Sequence, residues 1–298
     1  MMMSAIESRR AMPVAAPSTS RLGGRLKRIA LHGAVLLLCV VWFTPVLSLF
    51  VTTFRSESDS SLTGWWHAFV EWRPVLSNYV EAIYLAGVGR SVVNSIVLTI
   101  PTVLGTVLFS AIGAFALARM RFRGRIAVFL AMVGFQVLPP QLVLVPMLKF
   151  FLALGLTGTF IPVWIIEMGL TVPFGIFLLY GFFASIPSDL VEAARIDGAS
   201  EPRIFFQIIL PLSGAVLASL AILQFMIAWN HLLIPLIFLG SGSLSPLTVQ
   251  VASLAQTNAG GLNTLTAATF ISVVVPLVLI VSLQKYFVRG VLGGAVKG

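Results

Sequence analysis

The segment Glu192-Ala193-Ala194-Arg195-Ile196-Asp197-Gly198 lies between two strongly apolar stretches and is followed, after nine intervening residues, by Ile208-Ile209-Leu210-Pro211. Its alanine-rich composition favours a short helix, and Gly198 is typical of a residue that ends a helix in the left-handed conformation. Ser188 is expected to cap the N-terminus, where Asp189 suits the positive helix end. The pattern predicts a helix over residues 189–197 that stops at Gly198.

Such a helix is well suited to contact a second protein. Two alanines allow a partner backbone to approach closely, two apolar side chains offer hydrophobic contacts, and two carboxylates can reach cationic groups: Ala193 and Ala194, Leu190 and Ile196, Glu192 and Asp197. Pro211 interrupts the following helix as the chain returns to an apolar stretch. The alternative interpretation is an ordinary amphipathic loop.

Composition places the rest of the chain in a membrane. Of its 298 residues, 58% are hydrophobic and 10% are charged, and the mean hydropathy is +1.01. These values exclude an ordinary water-soluble domain. The apolar runs do not alternate with polar residues, so an all-α protein that crosses the membrane several times is predicted rather than a barrel.

Six transmembrane helices are expected, at residues 29–51, 91–117, 126–148, 160–183, 213–239 and 266–287. They form one domain over residues 29–288, with a cytoplasmic loop at about 184–211. Residues 1–28 are interpreted as a flexible cytoplasmic tail and residues 289–298 as a second cytoplasmic tail.

Basic residues set the expected orientation, because short cytoplasmic loops carry the excess of Lys and Arg. Fifteen of the nineteen lie in the two tails and in the loops after the second and fourth helices. The opposite side has four: Arg55, Arg73, Arg90 and Lys149. Both termini and the Glu192 segment are therefore predicted to be cytoplasmic, so the net charge of +9 does not indicate nucleic acid.

The Glu192 pattern resembles the EAA loop of the permease subunits of binding-protein-dependent ABC importers. Further segments resemble the carbohydrate group related to the maltose permeases, namely Asn94-Ser95, residues 138–141, residues 181–183, Ala228-Trp229-Asn230 and the C-terminal end. That end, Gly294-Ala295-Val296-Lys297-Gly298, is similar to the tail of the smaller maltose-type subunit, although Val291-Leu292 stand where Leu-Thr is usual.

This resemblance implies a type I ABC importer permease fold in a prokaryotic cytoplasmic (inner) membrane. It also implies specific partners: a second homologous permease, two cytoplasmic ATP-binding subunits, an extracytoplasmic sugar-binding protein and membrane lipid. The coupling residues that it implies are Glu192, Ala193, Ala194, Asp197, Gly198, Ile208, Leu210 and Pro211, and the C-terminal residues 294–298 are expected to contact the ATPases.

Several polar residues lie within the predicted spans. Glu167 is an acid among apolar neighbours, where a carboxylate is costly unless it is paired, and Lys149, Gln136 and Gln141 are candidate partners. Residues Asn94, Glu167, Gln224, Asn230 and His231 are candidates for the translocation path. The alternative is that they are hydrogen-bonding groups that hold helices together.

No motif in the sequence indicates catalysis. A phosphate-binding loop, a nucleophile elbow and a His-Glu-x-x-His pair are absent, and the three histidines are far apart in sequence, which argues against a metal site. No cofactor is expected in this chain, with ATP and Mg²⁺ bound by the partner ATPase. Two alternatives stay open, an importer for another solute such as a polyamine and a self-contained secondary carrier, which would have paired intramembrane charges and inverted repeats.

Overall fold

The computed structural model describes the backbone of residues 21–257 and 260–295 and the side chains of residues 27–257 and 260–283. All regular elements in these ranges are helical. Fourteen α-helices occur in them: α1 Arg21–Thr52, α2 Glu57–Leu62, α3 Ser77–Val80, α4 Val88–Arg119, α5 Arg125–Phe135, α6 Gln141–Ala153, α7 Phe160–Ser185, α8 Ser188–Ile196, α9 Glu201–Ile204, α10 Leu210–Leu212, α11 Gly214–Asn230, α12 Leu233–Leu239, α13 Leu247–Thr257 and α14 Gly261–Ala295.

The chain divides into two units, residues 1–49 and residues 50–298. Helix α1 accounts for the described part of the first unit, and its side chains from Ile29 to Phe43 are exposed and largely apolar. It begins at Arg21, so residues 21–28 continue the helix rather than the preceding tail. Residues 1–20 of the expected flexible tail lie outside the described residues.

Four helices in the described ranges are long and apolar enough to cross a bilayer, within α1, α4, α7 and α14. A fifth candidate combines residues Glu201–Leu212 with Gly214–Asn230, which are bent by 80° with respect to each other. These correspond to five of the six expected spans. The number of crossings and the side on which each terminus lies stay predictions.

The span expected at 126–148 is wrong as a single helix, because two shorter apolar helices, α5 and α6, replace it. A crossing formed by the two together stays a prediction. The break falls at Pro139 and Pro140, which have no N–H to donate to a continuing helix. The fifth span also differs from its expected range. Helix α11 ends at Asn230, and α12 starts again at Leu233.

The centre of the second unit is the pair α4 and α7. Gly105 faces Met168, and Gly175 faces Ser110 so closely that a Cβ on Gly175 would lie 2.1 Å from the Ser110 hydroxyl oxygen. Contacts that lie further along α4 also lie further along α7, from Gly105 with Met168 to Arg119 with Phe183. The two helices therefore run in the same direction. Small residues at such contacts allow membrane helices to approach closely.

Helix α11 packs beside this pair and joins it to α14. Leu220 lies against Gly175, and the Trp229 indole donates to the Ser272 carbonyl of α14 at 3.1 Å. One buried cluster combines the C-terminal ends of α4 and α7 with α8 and the start of α11, through Phe115, Phe183, Val191 and Val216. The segment that resembles the EAA loop is therefore packed onto the ends of two long helices.

Candidate functional site

Helix α8 occupies almost the range that its sequence predicts. It begins at Ser188 and ends at Ile196, with Asp189 in its first turn as expected. The expected capping role of Ser188 is wrong, because Pro187 occupies the N-cap position and the Ser188 hydroxyl donates to the Asp189 carboxylate at 3.3 Å.

Gly198 ends this helix in the way that the sequence predicts. Its φ is +81°, a conformation that other residues adopt at a cost. The Gly198 N–H donates to the Arg195 carbonyl at 3.0 Å, and the Ala199 N–H donates to the Ala194 carbonyl at 2.9 Å. A Cβ at Gly198 would meet no atom within 4 Å, so the backbone conformation, and not space, requires glycine here.

Most of α8 is exposed. Val191 is its buried residue, and Ala194 is half-buried and packs on the same cluster. Glu192, Ala193, Asp197 and Gly198 are exposed, and the Ile196 side chain is 86% exposed. The exposed side chains of this helix, including Glu192 and Ile196, are therefore not covered by the described part of the chain.

Two arginines attach α8 to the long helices. Arg119, the last residue of α4, donates to the carbonyls of Phe183 and Ile186, where α7 ends. Arg195 of α8 donates to the Arg119 carbonyl at 3.3 Å and to the Glu201 carboxylate at 2.8 Å. These bonds satisfy backbone carbonyls at the C-terminal ends of α4 and α7, where the helix dipole favours a positively charged side chain. Hydrogen bonds therefore join α8 to the end of α4, and the end of α4 to the end of α7.

An irregular helical segment, which we call the return segment, leads from α8 to α11. Residues Phe205–Ile209 form a π-helical turn between α9 and α10. Of the predicted residues, Ile208 and Leu210 pack on the buried cluster beneath α8, whereas Pro211 is exposed near the bend into α11. Ile208 and Leu210 therefore hold the return segment against this cluster.

The predicted C-terminal contact residues 294–298 are described only in part. The backbone of Gly294 and Ala295 lies at the end of α14. The predicted ATPase-contacting residues Val296, Lys297 and Gly298 lie outside the described residues, so the role of this tail stays a prediction.

Glu167 forms a contact within the bundle that the sequence did not identify. Its Oε1 lies 3.0 Å from His231 Nδ1, whereas its Oε2 has no hydrogen-bond partner among the described residues. Glu167 is 2% exposed, and His231 is half-buried. The suggested partners Lys149, Gln136 and Gln141 are wrong, because the break after α11 brings His231 to the first third of α7. We call these two residues the Glu167–His231 pair.

The other candidate path residues do not join this pair into one site. Asn94 donates both amide hydrogens to the carbonyls of Ser243 and Ser245, at 3.0 Å each, and so holds the segment between α12 and α13. Asn230 is exposed and donates to the Met226 carbonyl of its own helix at 2.8 Å. Gln224 is buried, and its side-chain nitrogen has no partner in the described part of the chain.

Sequence reasoning missed the two arginine anchors and the polar contacts of the segment after α12. The Ser95 hydroxyl accepts the Leu247 N–H at 2.8 Å, and the Thr248 hydroxyl donates to the His231 carbonyl at 3.0 Å. The one available signal for Arg119 was its place at the end of an apolar run. No group of His, Cys, Asp and Glu side chains suited to hold a metal ion occurs in the described residues.

The chain is similar in sequence to permease proteins of transport systems. Residues 91–293 match a family described as "Binding-protein-dependent transport system inner membrane component". The chain is 37% identical over 287 residues to the "Osmoprotective compounds uptake permease protein GgtD" of Synechocystis sp., a match that covers 94% of this chain and 96% of that protein. It is 41% identical over 232 residues to the "Alpha-glucoside transport system permease protein AglG" of Rhizobium meliloti, covering 76% of this chain and 61% of that protein.

A solved structure has the same fold. It is described as a bacterial ABC transporter involved in the import of the acidic polysaccharide alginate, and one of its chains matches with a TM-score of 0.73 and 22% identity. The match covers 91% of this chain and 100% of that one.

Proposed function

This chain belongs to the family of inner membrane components of binding-protein-dependent transport systems, and we propose that it is one of two permease subunits of an ATP-driven carbohydrate importer. The relative AglG is named as a permease of an alpha-glucoside transport system, and this supports a sugar as the solute. The chain itself would hydrolyse nothing, and two cytoplasmic ATPases would bind ATP and Mg²⁺.

The observation that carries the coupling role is the placement of α8. Its Glu192, Ala193 and Ile196 are exposed, while Val191 and Ala194 attach it to the ends of α4 and α7. In our proposal α8 enters a cleft of an ATPase and moves with it. Arg119 and Arg195 transmit that movement to both long helices, which rock and open a path between the two permeases.

The remaining partners follow from the same proposal. A second homologous permease completes the path, and an extracytoplasmic sugar-binding protein delivers the solute on the side opposite to α8. Both termini would lie in the cytoplasm of a prokaryotic cell, and the six crossings would include α5 and α6 together as one broken span. The Glu167–His231 pair would hold α7 against the break after α11, and Glu167, which is 2% exposed, would not contact solute.

A second solute is favoured by one observation. The relative GgtD is named for osmoprotective compounds and matches 94% of this chain. Uptake of labelled disaccharides and of small osmoprotective compounds should therefore be compared in the same reconstituted vesicles. Accumulation of the second class alone would replace the carbohydrate assignment and leave the coupling role intact.

Site-specific cross-linking tests the coupling role. Cys39 is the one cysteine of the chain, so Cys39→Ser provides a cysteine-free background. Ala193→Cys in that background should cross-link to a co-purified ATPase, and the yield should change when ATP is added. Gln207→Cys, which is also exposed but lies on the return segment, is the matched control and should cross-link much less. A homo-oligomer that co-purifies with no ATPase would instead support a secondary carrier.

A further inference from the structure

Two concave regions adjoin each other where α4 ends and α8 begins. The inner one has a volume of about 280 Å³ and is lined by Arg119, Arg121, Arg125, Arg195 and Glu192, among others. The outer one, of about 630 Å³, is lined by residues 121–127. Arg121 and Arg125 line both regions, and we call the two regions together the arginine groove.

Positive charge is in excess in the arginine groove. Glu192 is the one acid among the residues that line it. Arg195 pairs with Glu201, and Arg119 donates to backbone carbonyls. Neither Arg121 nor Arg125 forms an ion pair in the described part of the chain, and Arg125 donates to the Met120 carbonyl at 3.4 Å. Arginine guanidinium groups hold phosphate oxygens through paired hydrogen bonds, so an anion of that chemistry would relieve the excess.

Apolar residues continue the groove away from the arginines. Phe122 is 45% exposed, Ile126 is 68% exposed and Leu130, one turn further along α5, is 60% exposed. A soluble anion would make no favourable contact with these apolar side chains, whereas a phospholipid has both a phosphate group and apolar acyl chains. Basic pockets at the cytoplasmic ends of membrane helices are suited to anionic lipid head groups.

We propose that the arginine groove binds an anionic phospholipid, with its phosphate between Arg121 and Arg125 and its acyl chains along Phe122 and Ile126. Ser188, Val191, Glu192 and Arg195 of α8 line the inner part of the groove. Bound lipid therefore stabilises the position of α8, and membrane composition adjusts coupling. This second consequence rests on the proposed function, but lipid binding itself does not.

Native mass spectrometry of the purified complex tests the binding directly. The sample is exchanged into phosphatidylcholine with a small fraction of phosphatidylglycerol, and retained lipid is counted. Arg121→Gln with Arg125→Gln should reduce phosphatidylglycerol retention about tenfold or more. Arg203→Gln, an exposed arginine on the same predicted side that lines neither region, should retain as much as the unmodified chain.

Two further arms separate the alternatives. Arg121→Lys with Arg125→Lys keeps the charge but loses the paired hydrogen bonds, so its lipid retention should lie between those of the glutamine variant and the unmodified chain. Size-exclusion chromatography of all three complexes shows whether each is folded. Inorganic phosphate at millimolar concentration should not displace the lipid. Equal retention in the glutamine variant, displacement by phosphate, or lipid binding that appears only after the ATPases are removed would each overturn the proposal.

Discussion

The Glu167–His231 pair and α8 each contain a glutamate, but the two glutamates differ in their exposure to solvent. Glu167 is 2% exposed and meets His231 within the helix bundle. Glu192 is exposed on α8, which packs through Val191 and Ala194 and is joined to α4 by the hydrogen bond from Arg195. The same residue type therefore contributes to folding in one region and is available to a partner in the other.

This difference predicts that changes at the pair alter stability first and that changes in α8 alter coupling first. A buried charge that loses its partner costs several kcal/mol, whereas exposed charges contribute little to the folded state.

Glu167→Lys is expected to have the largest effect. It places a positive charge beside His231 in the bundle, at a cost of several kcal/mol, and should abolish the folded protein. Fluorescence-detected size-exclusion chromatography of the expressed chain would measure this. Glu192→Lys is the matched charge reversal on α8 and should elute normally while sugar-stimulated ATP hydrolysis is lost. Equal loss of folded protein in both variants would remove the distinction between the two regions.

Gly198→Pro should abolish coupling without unfolding the chain. Proline requires φ near −65°, whereas Gly198 has φ +81°, and proline also lacks the N–H that bonds to the Arg195 carbonyl. Stimulated ATP hydrolysis in proteoliposomes should fall to the unstimulated level. Gly198→Ala, which costs about 1 kcal/mol in this conformation, should be intermediate. Unchanged stimulation in the proline variant would exclude α8 as the coupling element.

Glu167→Gln should have a moderate effect that decides between structural and path roles. The amide can still bond to His231, so a loss of about 1–3 kcal/mol is expected, seen as a lower unfolding temperature. Uptake per folded complex should stay close to normal. Asn230→Ala, which removes an exposed amide that bonds within its own helix, is the control and should change little. Intact stability with lost uptake would instead place Glu167 in the translocation path.

Arg195→Ala should have the smallest effect on stability. Its side chain is 39% exposed, so loss of the contact with Glu201 should cost no more than about 1 kcal/mol. Because Arg195 also donates to the Arg119 carbonyl, stimulated ATP hydrolysis should fall a few-fold. Arg203→Ala, another exposed arginine of the same loop, should leave stimulation higher than Arg195→Ala does. An unfolding temperature that falls as far as in Glu167→Gln would show that α8 is part of the stable core.

Local patterns in the sequence predicted several elements well. The alanine-rich segment and Gly198 predicted the extent of α8 and its left-handed end, and both are confirmed. Four of the expected spans correspond to α1, α4, α7 and α14, because a long apolar run that must satisfy its own backbone bonds can only be a helix.

Breaks in the helices were harder to place. Pro45, Pro101, Pro173 and Pro276 lie inside continuous helices, whereas Pro139 and Pro140 coincide with the separation of α5 from α6. Hydropathy averages over such breaks, so the range 126–148 looked continuous. The break after Asn230 has no proline at its start, and nothing in the local pattern distinguished it.

The sequence alone determined the membrane class of this chain and the position and ending of α8, because hydropathy and helix-end chemistry are local properties. Tertiary structure alone decided which polar side chains meet. His231 reaches Glu167 only because α11 packs beside α7 and stops there, and Arg119 reaches Phe183 and Ile186 only because α4 and α7 run in the same direction. Contacts between residues far apart in the chain depend on the register of packed helices, which no single segment contains.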